Sequence, residues 1–148
     1  MGRYNRAISD FDKTIEIDPR FAFAYANRAD AYRDQGRYDR AISDYNKAIE
    51  IDPRFAFAYK RRGLAYHTLG EDEKSISDFN KAIRIWSETI RKNPEDVDAC
   101  FERGLTYYEH GRYPKAISDF NKAIEISPKF ALAYKNRKLA RHKLGGRR

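Results

Sequence analysis

Several features that define other protein classes are missing from this chain of 148 residues. It has one cysteine, so it can form no disulfide within the chain and no zinc site built from several cysteines. No apolar run approaches the roughly 18 residues that a membrane-spanning helix requires. The opening MGRYNRAISD lacks the apolar region of a signal peptide. Five prolines and eight glycines are too few for a collagen-like or linker-like sequence. We therefore expect a soluble cytoplasmic protein without a membrane partner.

The motifs of common enzyme and cofactor sites are also missing. The sequence contains no glycine-rich phosphate loop, no HExxH, no CxxC and no GxSxG. His67, His110 and His142 lie far apart, without a second ligand at metal spacing. Cys100 has no histidine close in sequence that could activate it as a nucleophile. We therefore expect no enzymatic activity, no cofactor and no metal.

Aromatic and charged residues are plentiful. Eleven Tyr and nine Phe point to a folded core, because disordered chains are poor in them. Thirty Lys and Arg against 22 Asp and Glu give a net charge of +8. Seven basic residues and no acidic one fall at the C-terminal end: Lys135, Arg137, Lys138, Arg141, Lys143, Arg147 and Arg148. Subtracting these seven from +8 leaves +1 for residues 1–134, so the positive charge is local and favours a partner that is acidic.

Three copies of one segment are spaced through the sequence. They are GRYNRAISDFDKTIEIDP at 2–19, GRYDRAISDYNKAIEIDP at 36–53 and GRYPKAISDFNKAIEISP at 111–128. The first two are 34 residues apart, as are the two copies of IDPRFAFAY at 17–25 and 51–59. Apolar residues recur at helical spacing within each copy. This period predicts an array of two-helix units.

The repeat resembles the tetratricopeptide repeat (TPR). That family places an aromatic residue, a small residue and Tyr in a first helix, then Ala, an aromatic residue, Ala and Pro in and after a second. Three copies fill these places: Tyr25, Ala29, Tyr32, Ala41, Tyr45, Ala48 and Pro53; Tyr59, Gly63, Tyr66, Ser75, Phe79 and Ala82; Cys100, Gly104, Tyr107, Ala116, Phe120, Ala123 and Pro128. The resemblance implies an all-α fold, an α-α superhelix (TPR solenoid) of about eight antiparallel helices.

We predict a single TPR array over residues 1–148. Two signals mark the helix ends: a capping residue before each proline, and a glycine between the two helices of a unit. They predict helices at 3–17, 21–35, 38–51, 55–69, 72–92, 95–110, 113–126 and 129–144. The array comprises the second helix of a partial unit at 3–19, full units at 22–55, 56–96 and 97–130, and a terminal helix at 131–146.

The unit at 56–96 is longer than the others. Its closing proline follows the preceding one by 41 residues instead of 34, and WSETIRK at 86–92 looks like a second use of FNKAIRI at 79–85. Seven residues add about 10 Å to a helix and rotate its apolar face by only ~20°. We therefore predict one extended helix over 72–92. Trp86 is expected in the core, with a partner-binding role as the alternative.

Two oppositely charged residues recur with the repeat. Arginine recurs at Arg28, Arg62, Arg103 and Arg137, and aspartate recurs in each ISD triplet at Asp10, Asp44, Asp78 and Asp119. Pairing a second helix with the first helix of the next unit uses all eight, whereas pairing within a unit leaves Asp10 and Arg137 over. We therefore predict the inter-unit pairs Asp10–Arg28, Asp44–Arg62, Asp78–Arg103 and Asp119–Arg137. The alternative is that both sets face solvent.

The resemblance also implies a function, because the first helices of TPR proteins line a concave groove that takes a peptide. Carried over by position, the groove includes Phe23, Asn27, Asp30, Phe57, Lys60, Arg61, Leu64, His67, Phe101, Glu102, Leu105, Tyr108, Lys135, Asn136 and His142. Chaperone-binding TPR domains grip a terminal carboxylate with Lys and Asn, but Ala26 and Asp30 stand in those places. We therefore expect a non-catalytic protein–protein interaction scaffold that binds a peptide or partner segment other than a chaperone tail.

Other hypotheses stay open. The basic C-terminal helix suits an RNA-binding helical-repeat protein, although acidic residues within 98–109 interrupt a continuous basic groove. Near-identical copies suit an engineered, recently duplicated or self-assembling repeat. The N-terminal helix of one chain could meet the C-terminal helix of another, giving head-to-tail self-association, whereas an excised fragment with frayed ends is the alternative. Nucleic acid is the less favoured partner.

Overall fold

The computed structural model describes residues 2–146, which form eight α-helices. They are α1 (Gly2–Ile17), α2 (Ala22–Asp34), α3 (Tyr38–Ile51), α4 (Ala56–Thr68), α5 (Asp72–Lys92), α6 (Val97–Glu109), α7 (Tyr113–Ile126) and α8 (Ala131–Gly145). These residues contain no strand. Every predicted helix end lies within two residues of the observed one, so the all-α helical-repeat fold is confirmed.

Glycine makes the turn between the two helices of a unit. Gly36, Gly70 and Gly111 have φ angles of 75°, 76° and 72°, in the left-handed region that residues with a Cβ rarely adopt. The amide of the following residue donates to a carbonyl in the last turn, as from Arg37 N to Tyr32 O at 2.9 Å. This bond satisfies a carbonyl that the helix end leaves open. The chain therefore reverses sharply, and the next helix packs back on the previous one.

Tyrosine and proline fix the turn that leads from one unit to the next. Tyr25 donates from Oη to the carbonyl of Pro19 at 3.1 Å, and Tyr59 donates to Pro53 at 3.0 Å. Tyr134 makes the same bond to Pro128 at 3.0 Å. Each tyrosine ties its helix to the preceding turn, and the rings of Tyr25 and Tyr59 are also buried. The aromatic position of the repeat therefore orients the turn as well as filling space.

The chain divides into two compact units, residues 1–78 and 79–148, and the boundary lies inside α5. The core of the first unit is formed by two buried clusters, which include Ile8, Ala29, Tyr32, Tyr45 and Ala65 and, separately, Tyr25, Ala26, Ala48 and Ala58. The core of the second unit includes Cys100, Phe101, Phe120, Ala123 and Ala140. Small alanines alternate with rings in both units, which lets helices pack closely.

Helix α5 runs unbroken from Asp72 to Lys92, as the duplicated heptad predicts. In the first copy, Phe79 is 2% exposed and Ala82 is fully buried. In the second copy, Ile90 packs against the core of the second unit, and Trp86 is half-buried. Both copies therefore contribute packing residues.

Candidate functional site

An arginine joins the two helices of each complete two-helix repeat. Arg28 Nε and Nη2 bond Asp44 at 2.7 and 2.8 Å. Arg62 bonds Asp78 at 2.7 and 2.7 Å, and Arg103 bonds Asp119 at 2.8 and 2.6 Å, with the same geometry. We call these three bidentate pairs the arginine clamps. The hydrogen bond to Asp44 raises the pKa of Arg28, so the clamp favours the charged guanidinium.

The clamps correct the predicted pairing. The aspartates lie in the same unit as their arginines, so the predicted pairs Asp10–Arg28, Asp44–Arg62, Asp78–Arg103 and Asp119–Arg137 are wrong. The carboxylate of Asp10 is exposed, and Arg137 has no carboxylate partner within residues 2–146. These are the two residues that pairing within a unit leaves over.

A second arm of each arginine does reach the preceding second helix. The Nη1 atoms donate to Asp12 from Arg28 (2.8 Å), Asn46 from Arg62 (2.7 Å), Ser87 from Arg103 (3.1 Å) and Asn121 from Arg137 (2.8 Å). Each acceptor lies sixteen residues before its arginine. Ser87 belongs to the second copy of the duplicated heptad, so that copy supplies the contact with α6. The arginine therefore fixes the register of three successive helices.

Four phenylalanine rings form a row where α2 and α4 begin. Ring centroids are 6.0 Å apart between Phe21 and Phe23, 6.5 Å between Phe23 and Phe55, and 6.4 Å between Phe55 and Phe57. Phe21 is 43% exposed and Phe23 is 54% exposed. We call these four rings the phenylalanine row. Phe23 and Phe57 are among the predicted groove residues, whereas Phe21 and Phe55 are not, although the repeated RFAF run is a signal for all four.

An ion network links α2 to α4 beside this row. Arg61 Nη1 lies 2.8 Å from Asp30 Oδ2, as an ion pair whose N–H is not aligned for a hydrogen bond. Arg33 Nη1 lies 3.5 Å from Asp30 Oδ1, and Tyr45 Oη donates to the same oxygen at 2.5 Å. The guanidinium of Arg61 also lies 5.3 Å from the ring centroid of Phe57. Two residues predicted to contact a ligand, Asp30 and Arg61, thus form an ion pair with each other.

Burial raises the pKa of the Tyr45 hydroxyl above its ordinary value of 10.0, and the charge of Asp30 raises it further. Arg33 and Arg61 act in the opposite direction. Below pH 10 the hydroxyl is protonated in both the folded and the unfolded chain. Above it, the unfolded chain loses the proton first, so the stability that depends on this hydroxyl declines as the pH rises.

We predict that Tyr45→Phe lowers the free energy of unfolding at pH 7 by about 1.5 kcal/mol, because a hydrogen bond to a charged carboxylate is lost. Phe79 and Phe120 occupy the same place in the other units, so the ring itself packs without a hydroxyl. At pH 11 the difference between variant and wild type should shrink. Urea denaturation followed by circular dichroism at both pH values measures this. An equal loss at both would contradict the raised pKa.

The other predicted groove residues of the first unit lie on α2 and α4. Asn27, Lys60 and Leu64 are half-buried, and Lys60 has a partner in the structure. His67 is exposed, with Nδ1 3.5 Å from Asp72 Oδ1. These side chains share the α2–α4 face with the phenylalanine row.

The predicted groove residues of the second unit are more varied. Phe101 is only 7% exposed, with its ring 4.6 Å from Phe130 and 5.8 Å from Phe120, so it is a core residue. Leu105, Tyr108 and Glu102 are half-buried, and Glu102 has a partner in the structure. Asn136 Nδ2 donates to the Leu132 carbonyl of its own helix at 2.8 Å, whereas Lys135 and His142 are exposed.

The residues considered for catalysis and metal binding are not grouped. No cluster of three or more His, Cys, Asp or Glu that could hold a metal ion occurs between residues 2 and 146. Burial raises the pKa of the Cys100 thiol, and burial lowers the pKa of His110, whose ring lies 5.6 Å from that of Phe79. In the described part of the chain, no helix combines the length and the apolar composition needed to cross a bilayer.

Four family models match the sequence. One, described as TPR repeat, matches residues 29–70, and three described as tetratricopeptide repeat match residues 11–43, 58–85 and 97–130. Comparison with curated proteins finds no match.

Solved structures with a similar fold include MamA, at 29% identity and a TM-score of 0.57, over 97% of this chain and 80% of that one. TTC0263, a thermophilic TPR protein of Thermus thermophilus, is 23% identical with a TM-score of 0.68, over 94% of this chain and 73% of its own. The first TPR of Spaghetti (RPAP3), bound to the HSP90 peptide SRMEEVD, is 24% identical with a TM-score of 0.55, over 84% of this chain and 93% of its own.

The repeat period, the glycine turns and the paired helices agree with these matches. The chain therefore belongs to the tetratricopeptide repeat family.

Proposed function

We propose that this chain is a non-catalytic protein–protein interaction scaffold that binds a peptide or partner segment on the face formed by its first helices α2 and α4. TPR domains are generally interaction modules without catalytic activity. The similar fold of Spaghetti (RPAP3) holds a peptide in its structure. Together, the family and this neighbour support a scaffold that recognises protein segments.

The phenylalanine row is the observation that carries the proposal. Phe21 and Phe23 expose about half of their surface to water, and neither belongs to the buried core of the first unit. Burying the exposed half of one such ring against a partner is worth about 1–1.5 kcal/mol. Aromatic anchors of this kind dominate the affinity of many protein interfaces.

The ligand of this face is not expected to be a chaperone tail. Asp30 stands where a carboxylate-gripping TPR domain has Asn, and it is held by Arg61 and Tyr45. An aspartate at this place offers a terminal carboxylate no hydrogen-bond donor, unlike the asparagine that it replaces. An apolar segment that packs on the phenylalanine row fits the surface better.

A display selection with random peptides tests the proposal. We expect peptides selected on the wild-type chain to lose at least tenfold in affinity for a Phe23→Ala variant, because the most exposed ring of the row is removed. Tyr4→Ala is the matched control, since Tyr4 is 38% exposed on α1, outside the row. Fluorescence anisotropy gives the affinities, and circular dichroism checks that both variants are folded. Peptides that bind Phe23→Ala as tightly as wild type would contradict the proposal.

RNA binding is not proposed. Five of the seven C-terminal basic residues lie on α8, whereas Arg147 and Arg148 lie outside the described residues. Asp98 and Glu109 are exposed on α6, which packs next to α8 in the second unit. These carboxylates would repel a phosphate backbone.

Head-to-tail self-association stays a prediction, and one residue of α8 weighs against it. The close approach of two helices in a unit requires a small residue, as at Ala29 and Gly104. The equivalent residue of α8 is Lys138, which is exposed. Its side chain would occupy the space that a second helix needs, so α8 does not suit another chain's α1 in the geometry of a complete unit.

A further inference from the structure

We propose that the α6–α8 face of the second unit binds an amphipathic helix that carries basic residues on one flank and acidic residues on the other. This inference rests on the proposed scaffold function and names the chemistry of one of its partners. Two sets of charges define the face: an acidic row of Asp98 and Glu109 on α6, and a basic row of Lys135 and Lys143 on α8.

Helices α6 and α8 lie side by side in this unit. Phe101 of α6 packs its ring 4.6 Å from that of Phe130, which immediately precedes α8. Both helices pack against α7 through the same buried cluster, which contains Ala133 and Ala140 of α8. Asp98 and Glu109 are eleven residues apart, which places them about 20° from each other around α6. Lys135 and Lys143 are eight residues apart, about 80° around α8, so both pairs stay on one side of their helix.

The charged groups of both rows form no ion pair with other residues in the described part of the chain. Asp98, Glu109, Lys135 and Lys143 are exposed, and none has an ion pair or a hydrogen bond from its side chain in the part of the chain that the structure describes. The α2–α4 face differs, because Asp30 there is paired with Arg61 at 2.8 Å. The two units therefore present different surfaces: an aromatic one with its charges paired, and one with unpaired charges of both signs.

Apolar side chains are exposed on the same face. Leu132 is 52% exposed and Leu139 is 44% exposed. They are seven residues apart, which corresponds to about 10 Å along a helix. An amphipathic helix offers apolar anchors at the same spacing on its own surface. The face thus combines an apolar strip with charges of opposite sign on two neighbouring helices.

Opposite charges on one face select against uniformly charged ligands. A polyanion is attracted by Lys135 and Lys143 but repelled by Asp98 and Glu109, and a polycation meets the reverse. Repulsion of the wrong ligands therefore adds to the specificity that attraction of the right ligand provides. A segment with its own charges divided between two flanks satisfies both rows at once.

Synthetic 16-residue helical peptides test the proposal. The split peptide has a leucine face with lysines on one flank and glutamates on the other, and the permuted peptide has the same composition with both charges mixed on each flank. Fluorescence anisotropy measures their affinities for the full chain at low salt and at high salt. We expect the split peptide to bind at least tenfold more tightly than the permuted peptide, and salt to reduce this difference by screening.

Charge-reversal variants complete the experiment. Asp98→Lys with Glu109→Lys, and Lys135→Glu with Lys143→Glu, should each weaken the split peptide about tenfold. Combining all four substitutions exchanges the two rows and keeps the net charge. Reversing the direction of a helix exchanges its flanks, so the combined variant should bind the same split peptide again. Circular dichroism verifies that these surface variants are folded.

Equal binding of the split and permuted peptides, no loss in the paired variants, or no recovery in the combined variant would each overturn the proposal. Tyr4→Ala should leave the affinity of the split peptide unchanged, because Tyr4 lies on α1, outside both the α6–α8 face and the phenylalanine row. If no split peptide binds while peptides selected on the phenylalanine row still do, this inference fails and the scaffold function stands.

Discussion

Replacing Asp44 by alanine should lower the free energy of unfolding by about 3 kcal/mol, because it leaves a partly buried arginine without its bidentate partner. The same replacement at Asp10 should change it by less than about 0.5 kcal/mol, as is usual for an exposed site. Both aspartates occupy the same place in an ISD triplet. Asp44 is 7% exposed and bonds Arg28 at 2.7 and 2.8 Å, whereas Asp10 is exposed and has no arginine partner among residues 2–146.

The size of this effect follows from what remains around Arg28. Its side chain is 20% exposed, so water can hydrate part of the guanidinium after Asp44 is removed, and Asp12 still accepts one bond at 2.8 Å. The loss should therefore lie at the lower end of the range for a broken buried ion pair. Urea denaturation at pH 7, followed by circular dichroism, compares the two variants with wild type.

A double replacement separates attraction from the cost of an unpaired charge. Arg28→Met with Asp44→Leu removes both charges and keeps side chains of similar size, so it should recover most of the stability that Asp44→Ala loses. If Asp44→Ala were as mild as Asp10→Ala, the clamp would behave as an exposed ion pair and our assignment of its role would be wrong.

The elements of this fold could be predicted from sequence because their signals are local. Gly36, Gly70 and Gly111 each mark a turn with a positive φ angle, which glycine adopts most easily. The spacing of apolar residues in each copy predicts a helix without knowledge of the helices that pack against it. The duplicated heptad also acts locally, since seven residues extend α5 without rotating its apolar face far. These features depend on a few adjacent residues.

The arginine pairing could not be predicted in the same way. Arg28 lies sixteen residues from Asp44 and eighteen from Asp10, so sequence separation does not choose between the two helices that flank it. The number of residues of each kind favours pairing between units, because that arrangement uses all four arginines and all four aspartates. The structure instead places the guanidinium between both helices, with the carboxylate of Asp44 on one side and Asp12 on the other. The geometry of a fork with several donors decides the outcome.

The candidate site was predicted only in part, for a related reason. Family position predicts both Phe23 and Phe101 as groove residues, but Phe101 is covered by Phe130, whereas Phe23 is exposed. Nor does position show that Asp30 is paired with Arg61 while Lys135 has no partner in the described part of the chain. Ion pairs between neighbouring helices decide which charged side chains are left unpaired and able to bind a ligand. The repeat pattern alone does not predict these pairs.

Gly104→Leu should lower the free energy of unfolding by about 3 kcal/mol, at the upper end of what overpacking costs. A Cβ at this position would already lie 2.8 Å from Phe120 Cε1 and 3.1 Å from Asp119 Cβ. Phe120 is fully buried and Asp119 is held by Arg103 at 2.6 and 2.8 Å, so neither can move aside easily. The gain of about 0.8 kcal/mol from removing a helical glycine is too small to compensate.

Lys138→Leu is the matched control, because residue 138 occupies the same place in α8 and its side chain is exposed. Leucine at this site meets no second helix within residues 2–146, so stability should change by less than about 0.5 kcal/mol. Urea denaturation of both variants gives the comparison. The loss in free energy of unfolding for Gly104→Ala should lie between the losses for these two variants, because a methyl group displaces Phe120 less than a leucine side chain does. A Gly104→Leu variant as stable as Lys138→Leu would show that α6 and α7 can separate without loss, and that the small residue is not required for their packing.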